Sequence, residues 1–384
     1  MSVEIRHIDP SKGNGLFAKR QIKSGETIFE ENPLVSAQFS WNAAYGYNAC
    51  DHCLRPLETA EENVRRLSAK PNIVLPHPEC CETNKTTITA CPSCGINYCS
   101  PECQQTAFKQ YHQTLCCQGE GEKHPLQILN EFWKQCHYPP ETSTVMLIPR
   151  IIAMIQQSPT KDETLQSFLK FVHKHTNEED QFVHKMFAEK FESGIDTLCE
   201  MTRNAVPNEG VEQLLTPDGY RSMLALIGTN GQGVGTSAIS RWAHNVMVLS
   251  VSDEDKCKLD KLIDDLYDAM DAHAGVFLNN EGVALYSLQS TCNHSCNPNA
   301  EPTFVHNNNR LSLVALKDIE EGDEICISYL DECTLERSRH SRQKNLKENY
   351  LFLCACEKCL EEADQPEIST DEEVDMEENE DMSD

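Results

Sequence analysis

Residues 293–299 of this 384-residue chain read Asn-His-Ser-Cys-Asn-Pro-Asn. Two further motifs follow: Gly-Asp-Glu-Ile at 322–325, with Tyr329 four residues after its end, and Cys-x-Cys-x-x-Cys at 354–359. The three thiols of the last motif are spaced to wrap a metal ion, but a tetrahedral zinc site needs four ligands. The fourth ligand must therefore come from elsewhere in the chain.

A second group of ligand-type residues lies upstream, in four pairs: Cys50/Cys53, Cys91/Cys94, Cys99/Cys103 and His112/Cys116. A two-residue gap lets a tight turn aim both thiolates of a pair at one Zn²⁺. Ser100 and Pro101 predict a helix start that places Cys103 in the following turns, and the spacing of His112 and Cys116 puts both on one helix face. Ordinary buried thiols would need four coincidental pairings, so the eight residues predict two zinc sites. Spacing alone does not say which pairs share an ion.

Composition limits the possible functions. The chain has 33 Lys and Arg against 61 Asp and Glu, a net charge of −28, which disfavours direct nucleic-acid binding and favours a basic partner. No window approaches the roughly 20 apolar residues of a membrane span, and the start lacks the apolar stretch of a secretory signal. We therefore expect a soluble intracellular protein. Its 20 cysteines are then reduced thiols that point to metal rather than disulfides.

The chain length predicts two or three domains, and the hydrophobic pattern predicts strands towards both ends of the chain with helices between them. Strands are expected at 3–8, 16–18, 26–30, 311–316 and 324–330, and helices within 126–203 and at 260–272. The Gly-rich segment 228–235 lacks the fingerprints of a nucleotide-binding loop, so a flexible turn or a cofactor contact is expected there.

The C-terminal residues 361–384 contain 13 acidic side chains and no Lys or Arg, which leaves a net charge of −15 for residues 1–360. Such a segment buries too little apolar surface to offset its ordering entropy, so a disordered tail is predicted. Its simplest role is to solvate the protein. The alternative is that it attracts a basic substrate.

The three downstream motifs resemble the SET domain with its post-SET zinc loop, and the eight upstream ligands resemble the MYND zinc finger. In this order they resemble the SET and MYND family of protein-lysine methyltransferases over residues 1–360. The resemblance implies an α+β fold, in which a SET-domain β-fold with a knotted cofactor site is interrupted by a MYND finger and a helical insert, plus a post-SET zinc loop. The implied divisions are 1–49 (N-terminal SET part), 50–117 (finger), 118–225 (helical insert), 226–335 (core SET domain), 336–360 (post-SET loop) and 361–384 (tail).

The same resemblance implies three zinc ions. Within the finger the first pair shares an ion with the third, and the second with the fourth. The implied ligand sets are Cys50, Cys53, Cys99 and Cys103; Cys91, Cys94, His112 and Cys116; and Cys296, Cys354, Cys356 and Cys359. This chain departs from the family by 37 residues inserted between the first two pairs. The insertion includes Cys80 and Cys81, which could compete as ligands.

The family's cofactor is S-adenosylmethionine, and its contacts carry over by position to the turn at 12–15, the motif at 293–299, and single residues elsewhere. The implied cofactor-contact residues are Lys12, Asn14, Asn230, Ser290, Asn293, His294, Tyr329 and Phe352, with Phe352 packed on the adenine. Tyr329 is the implied catalytic residue. Without the flanking motifs, Tyr329 would be taken for a core tyrosine of a strand and His294 for a core histidine.

Two functions follow. The first is transfer of methyl groups from S-adenosylmethionine to a lysine of a basic protein, such as a histone tail or a ribosomal protein. The second is a non-enzymatic adaptor that recruits partners in chromatin through the finger and the tail. The enzyme is favoured because no matched position has a disabling residue. We expect a monomer in nucleus and cytoplasm, possible chromatin co-regulator complexes, and no direct contact with nucleic acid or membrane.

Overall fold

The computed structural model describes residues 2–10, 12–119, 124–137, 142–174, 176–177, 182–183, 189–275 and 278–363. Within these segments the strands β1 to β14 are Val3–Asp9, Gly13–Ala18, Thr27–Glu31, Val35–Gln38, Thr89–Ala90, Asn97–Tyr98, Thr176–Asn177, Phe182–Val183, Gln232–Thr236, Asn280–Leu285, Asn293–His294, Ala300–Thr303, Leu311–Ala315 and Glu324–Ile327. The helices α1 to α13 are Ala60–Leu67, Pro101–Ala107, Gln113–Leu115, Pro125–Cys136, Leu147–Gln157, Lys161–Leu169, Glu189–Ala205, Pro217–Asn230, Ala238–Met247, Asp253–Ala274, Glu332–Glu336, Arg339–Tyr350 and Glu357–Glu361. None of these described helices is long and apolar enough to cross a membrane.

Each of the three larger sheets combines strands from both ends of the chain. Their orders are β1-β2-β14-β11, β4-β10-β9 and β12-β13-β3. All these pairings are antiparallel except that of β11 with β14, which is parallel. Residues 39–231, between β4 and β9, are thus inserted into one β-fold. This confirms the predicted α+β fold, in which a finger and helices interrupt the β-fold.

The helical insert has its own apolar core. α4 packs on α7, and α5 contacts α7, α8 and the finger. Because α5 is surrounded in this way, Ile148, Ile151, Ile152 and Ile155 are all buried, and each contributes about 1.5–3 kcal/mol through removal of its side chain from water. The helix therefore joins the insert to the finger.

Residues 54–90, the insertion within the finger, build a further small core. They form α1, which begins at a capping box of Thr59 and Glu62 and packs against α9 and α10. Trp242 of α9 is buried, and its indole N–H donates to the Pro76 carbonyl at 3.1 Å. The insertion is thus anchored to helices of the C-terminal half, an association that the sequence did not predict.

The Gly-rich segment 228–235 is not a flexible turn: it is the end of α8 and most of β9. A Cβ on Gly231 would lie 2.5 Å from the Ile227 carbonyl oxygen, and one on Gly282 of the partner strand β10 would lie 2.5 Å from the Ala37 carbonyl oxygen. The glycines therefore permit close backbone approach in a packed sheet.

The helical prediction over 126–203 is correct for α4 to α7 but missed the short hairpin of β7 and β8 between α6 and α7. α6 ends at Leu169, so Phe171 and Val172 lie beyond it although they belong to the stretch predicted as helical. His175, in the same stretch, lies outside the described residues.

Two other predicted bounds differ from the structure. The strand expected at 324–330 ends at Ile327, so that Tyr329 lies in the loop after it. Residue 225, the implied end of the helical insert, lies within α8, and the domain divisions stay predictions. Glu361, which the sequence assigned to the disordered tail, belongs to α13, whereas residues 364–384 of that tail lie outside the described residues.

Arg150 of α5 joins the insert, the finger and the β-fold. One guanidinium nitrogen donates to the carbonyl oxygens of Ser36 in β4 at 2.7 Å and of Asp51 at 2.8 Å. The other donates to the Asp51 carboxylate, and the group lies 4.6 Å from the ring centroid of Tyr111. The Arg150 and Asp51 side chains are only 11% and 18% exposed, so each depends on the other for compensation of its charge.

Replacing Arg150 by Met should lower the free energy of unfolding by about 3–5 kcal/mol, because the change leaves the Asp51 carboxylate buried without its partner. Urea denaturation at constant zinc measures the loss. The control is Arg221→Met, which removes ion pairs to largely exposed carboxylates and should cost less than about 1 kcal/mol. Equal losses in the two variants would contradict the role given to Arg150.

Candidate active site and zinc centres

Hydrogen bonds fix Tyr329 at its backbone and at its hydroxyl. Its backbone N–H donates to His294 Nδ1 at 3.0 Å, and its hydroxyl donates to the Cys292 carbonyl at 2.8 Å. Burial, followed by the nearby Cys292 thiol, raises the pKa of Tyr329 well above its usual range. The hydroxyl therefore stays protonated and can act as a hydrogen-bond donor rather than as a base.

Two aromatic residues from the end of α12 surround this tyrosine. The Tyr350 ring lies 4.8 Å from that of Tyr329, and its hydroxyl donates to the Tyr329 carbonyl at 3.2 Å. Phe352 lies 6.3 Å from Tyr329 and 6.2 Å from His294. Leu351 between them has a left-handed φ of 64°, which ends α12 and reverses the chain. Sequence reasoning found Phe352 but missed Tyr350.

His294 connects Tyr329 to a cysteine. Because its Nδ1 accepts the Tyr329 N–H, the neutral ring must be protonated at Nε2, which lies 3.3 Å from Cys296 Sγ. Burial lowers the pKa of His294 to about 4, so the neutral form is the one present near pH 7. The histidine thus positions the backbone of Tyr329, in addition to the expected cofactor contact.

Glu324 brings together three residues predicted for the cofactor site. Its carboxylate accepts from the Asn293 side chain at 2.7 Å and lies 3.8 Å from the Lys12 ammonium. The Asn293 amide also donates to the Asn14 carbonyl at 3.1 Å. A Cβ on Gly15 would lie 3.0 Å from this carboxylate. Glu324 stands in the Gly-Asp-Glu-Ile motif, but the sequence did not predict this role.

Asn230 and Ser290 are placed less directly. The Asn230 amide donates to the Val172 and Leu226 carbonyls, and the Ser290 hydroxyl donates to the Ser287 carbonyl. No hydrogen bond among the described residues joins either one to the Glu324 group or to Tyr329, so their cofactor contacts stay predictions.

The first zinc set, Cys50, Cys53, Cys99 and Cys103, converges within 4.8 Å. Its Sγ atoms are 3.6 Å apart between Cys53 and Cys99, and 3.5 Å between Cys99 and Cys103. Zn–S bonds of ~2.3 Å would place the sulfurs of a tetrahedral site about 3.8 Å apart, so the set fits zinc. Hydrogen bonds from the Cys103 and Cys53 thiols lower the pKa of Cys50.

The second set, Cys91, Cys94, His112 and Cys116, also converges within 4.8 Å. His112 closes a π-helical segment, Phe108–His112, between α2 and α3, and its Nε2 lies 3.5 Å from Cys94 Sγ. Cys116 is the extended residue after α3, so the two ligands do not share one regular helix face as expected. The π-helical segment ends at His112 itself, and such segments are frequent at functional sites.

The third set, Cys296, Cys354, Cys356 and Cys359, converges in the same way, with Cys296 Sγ 3.6 Å from Cys359 Sγ. Cys296 follows β11, and the other three lie at the start of α13 and just before it. The fourth ligand thus comes from the segment that also holds His294. Four thiols at these distances fit a tetrahedral zinc ion.

Cys80 and Cys81 belong to none of these sets. Cys80 is buried in the small core formed by α1, α9 and α10, and Cys81 Sγ accepts from the Ala60 N–H at 3.4 Å. The possible competition between these thiols and the finger ligands is therefore resolved by their position in a different core.

Comparison with known proteins gives consistent matches. The SET domain profile matches residues 13–330. Proteins named protein-lysine N-trimethyltransferase SMYD5 from Homo sapiens and Gallus gallus are 52% and 50% identical to this chain, over 97% of it and 90% of each relative. Histone-lysine N-methyltransferase SMYD3 from Mus musculus is 24% identical over 95% of this chain and 63% of its own length.

Elemental analysis of the purified chain should find zinc in all three clusters. Replacing Cys103 or Cys359 by Ala should each remove one zinc ion, because a tetrahedral site with three protein ligands holds structural zinc less tightly. Cys80→Ala is the matched control and should retain all the zinc. Loss of an ion in the control would contradict the ligand assignment.

Proposed function

Because the chain belongs to the SET and MYND family of SET-domain proteins, we propose that it is a lysine methyltransferase that uses S-adenosylmethionine and acts on basic proteins. The observation that carries this proposal is the protonated Tyr329 hydroxyl, fixed on the Cys292 carbonyl next to the group organised by Glu324. The names of the relatives suggest trimethylation as the end point.

The residues around Glu324 fit this cofactor. Gly13 has a left-handed φ of 70°, and a Cβ there would meet nothing within 4 Å, so the backbone of this turn is open to a ligand. The exposed Lys12 ammonium suits a carboxylate, and Asn14 and Asn293 offer amides beside it. Phe352 presents a ring suited to an adenine.

S-adenosylmethionine supplies, when bound, a methyl group activated by a positive sulfonium. The protein must position a neutral amine in line with that methyl and exclude water, rather than provide a strong base. Burial and a nearby positive charge both disfavour the ammonium form of a lysine. Tyr329 orients the amine through its hydroxyl, and His294 and Tyr350 hold Tyr329 in place by its backbone.

We propose a histone tail or a ribosomal protein as substrate, because the net charge of −28 speeds encounter with basic chains. Substrates of these classes occur in nucleus and cytoplasm, and we propose that the protein acts in both as a monomer, in the nucleus with chromatin co-regulator complexes. An adaptor without activity would bind such partners but transfer no methyl group.

Tyr329→Phe should reduce methyl transfer to core histones or ribosomal proteins roughly 10²–10³-fold, because the hydroxyl oxygen that can accept an N–H of the amine is lost at the reacting centre. Transfer of label from S-adenosylmethionine measures the rate, and calorimetry should find cofactor binding nearly unchanged. The matched control is Tyr98→Phe, which removes another buried hydroxyl and should retain activity. Cofactor binding without transfer by the unmodified chain would favour the adaptor.

Glu324→Gln should weaken cofactor binding roughly 10-fold, because it removes a charge-assisted hydrogen bond to Asn293. Calorimetry with S-adenosylmethionine measures the dissociation constant. Glu320→Gln is the control, since Glu320 is an exposed carboxylate on the same turn that accepts only from Gln21 among the described side chains. Equal effects of the two changes would show that general charge, not the Glu324 contacts, sets the affinity.

A further inference from the structure

A buried arginine lies against the third zinc cluster. Arg342, on α12, is 1% exposed, and its Nη2 lies 3.8 Å from Cys359 Sγ. It also interacts with Cys296, another ligand of the same cluster. Arginine is rarely buried unless it is paired, so these sulfur contacts call for an explanation.

The ligand chemistry supplies one. Four cysteine thiolates around one Zn²⁺ leave a net charge of −2, and the Cys296, Cys354 and Cys359 side chains are largely removed from water. Charge of this kind needs a nearby counter-charge in a low-dielectric environment. The Arg342 guanidinium cannot lose its proton under ordinary conditions, so it provides a permanent positive charge beside the sulfurs.

The guanidinium is itself held in place. Nη2 donates to the Glu362 carboxylate at 2.5 Å, and Nη1 donates to the Arg337 carbonyl at 2.6 Å. Nε is buried and has no hydrogen-bond partner among the described residues. The group is thus oriented for the thiolates and for Glu362, at the cost of one unsatisfied donor. Glu362 follows α13 directly, at the start of the acidic C-terminal segment.

The contacts continue toward Tyr329. Cys296 Sγ lies 3.3 Å from His294 Nε2, and His294 Nδ1 accepts the Tyr329 N–H at 3.0 Å. A continuous series of polar contacts therefore runs from Glu362 through Arg342 and the zinc ligands to the tyrosine backbone.

We propose that Arg342 is a positioning residue that stabilises the third zinc centre by balancing the charge of its thiolates, and that Glu362 orients Arg342 for this role. The beginning of the acidic segment is then part of the zinc centre. This inference does not depend on the proposed methyl transfer.

The test is the rate at which the full-length chain releases zinc to a chromophoric chelator. Arg342→Met should speed release from one of the three clusters roughly 10–100-fold, the usual effect of losing an outer-shell partner. Arg342→Lys keeps the charge and should restore part of the difference. Glu362→Gln should act in the same direction by a smaller factor. Arg337→Met is the matched control, because Arg337 contributes only its backbone carbonyl, and it should release zinc at the unmodified rate.

The two finger clusters serve as an internal reference. Release from the third cluster alone supports the proposal, whereas an unchanged rate in Arg342→Met overturns it. Simultaneous release of all the zinc from Arg342→Met would mean general unfolding of that variant. The release rate of Glu362→Gln is then the test, and an unchanged rate in Glu362→Gln also overturns the proposal. Equal rates for the Met and Lys variants would show that packing, not charge, is what Arg342 contributes.

Discussion

The parallel pairing of β11 with β14 is the constraint on which the site depends. These strands are short, and they are joined through Asn293 opposite Cys326 and His294 opposite Ile327. Each residue of β11 then serves a different part of the site: the Asn293 amide meets the group around Glu324, and the His294 ring holds Tyr329. Because parallel neighbours require a long crossover, residues distant in sequence become adjacent. A shift of register would move both Asn293 and His294 away from their partners at the same time.

The same segment links the predicted catalytic residue to a predicted metal site. Cys296 lies two residues beyond β11, so the third zinc cluster and the Tyr329 contacts share one stretch of backbone. Phe352 and Tyr350 are positioned from the other side, since α12 leads directly into the cysteines of that cluster. A structural metal here would fix this short segment without touching a substrate, and it would compensate for the few hydrogen bonds that two-residue strands can make.

The parts inserted into the β-fold are attached by polar and apolar contacts of different kinds. Arg150 satisfies backbone carbonyls of the β-fold and the finger with one charged group, whereas α1 is attached to α9 and α10 by apolar packing around Trp242. Neither contact follows from local patterns. The sequence pattern predicts a helix at α5 but not the burial of Arg150. No feature of residues 54–90 predicts α9 and α10 as their packing partners.

The sequence by itself determined the four ligand pairs and the helical stretch, because short-range spacing records which ligands and helices can form. Family resemblance, not spacing, assigned the pairs to common ions, supplied Cys296, implied the split β-fold and gave Tyr329 its role. Only the tertiary structure decided that Glu324 organises residues predicted to contact the cofactor, that β9 is a strand, and that Arg342 lies against the third cysteine cluster. The physical reason is that these roles depend on burial and on charge between segments distant in sequence, and a lone Glu or Arg has the same local pattern whether it ends in water or beside a thiolate.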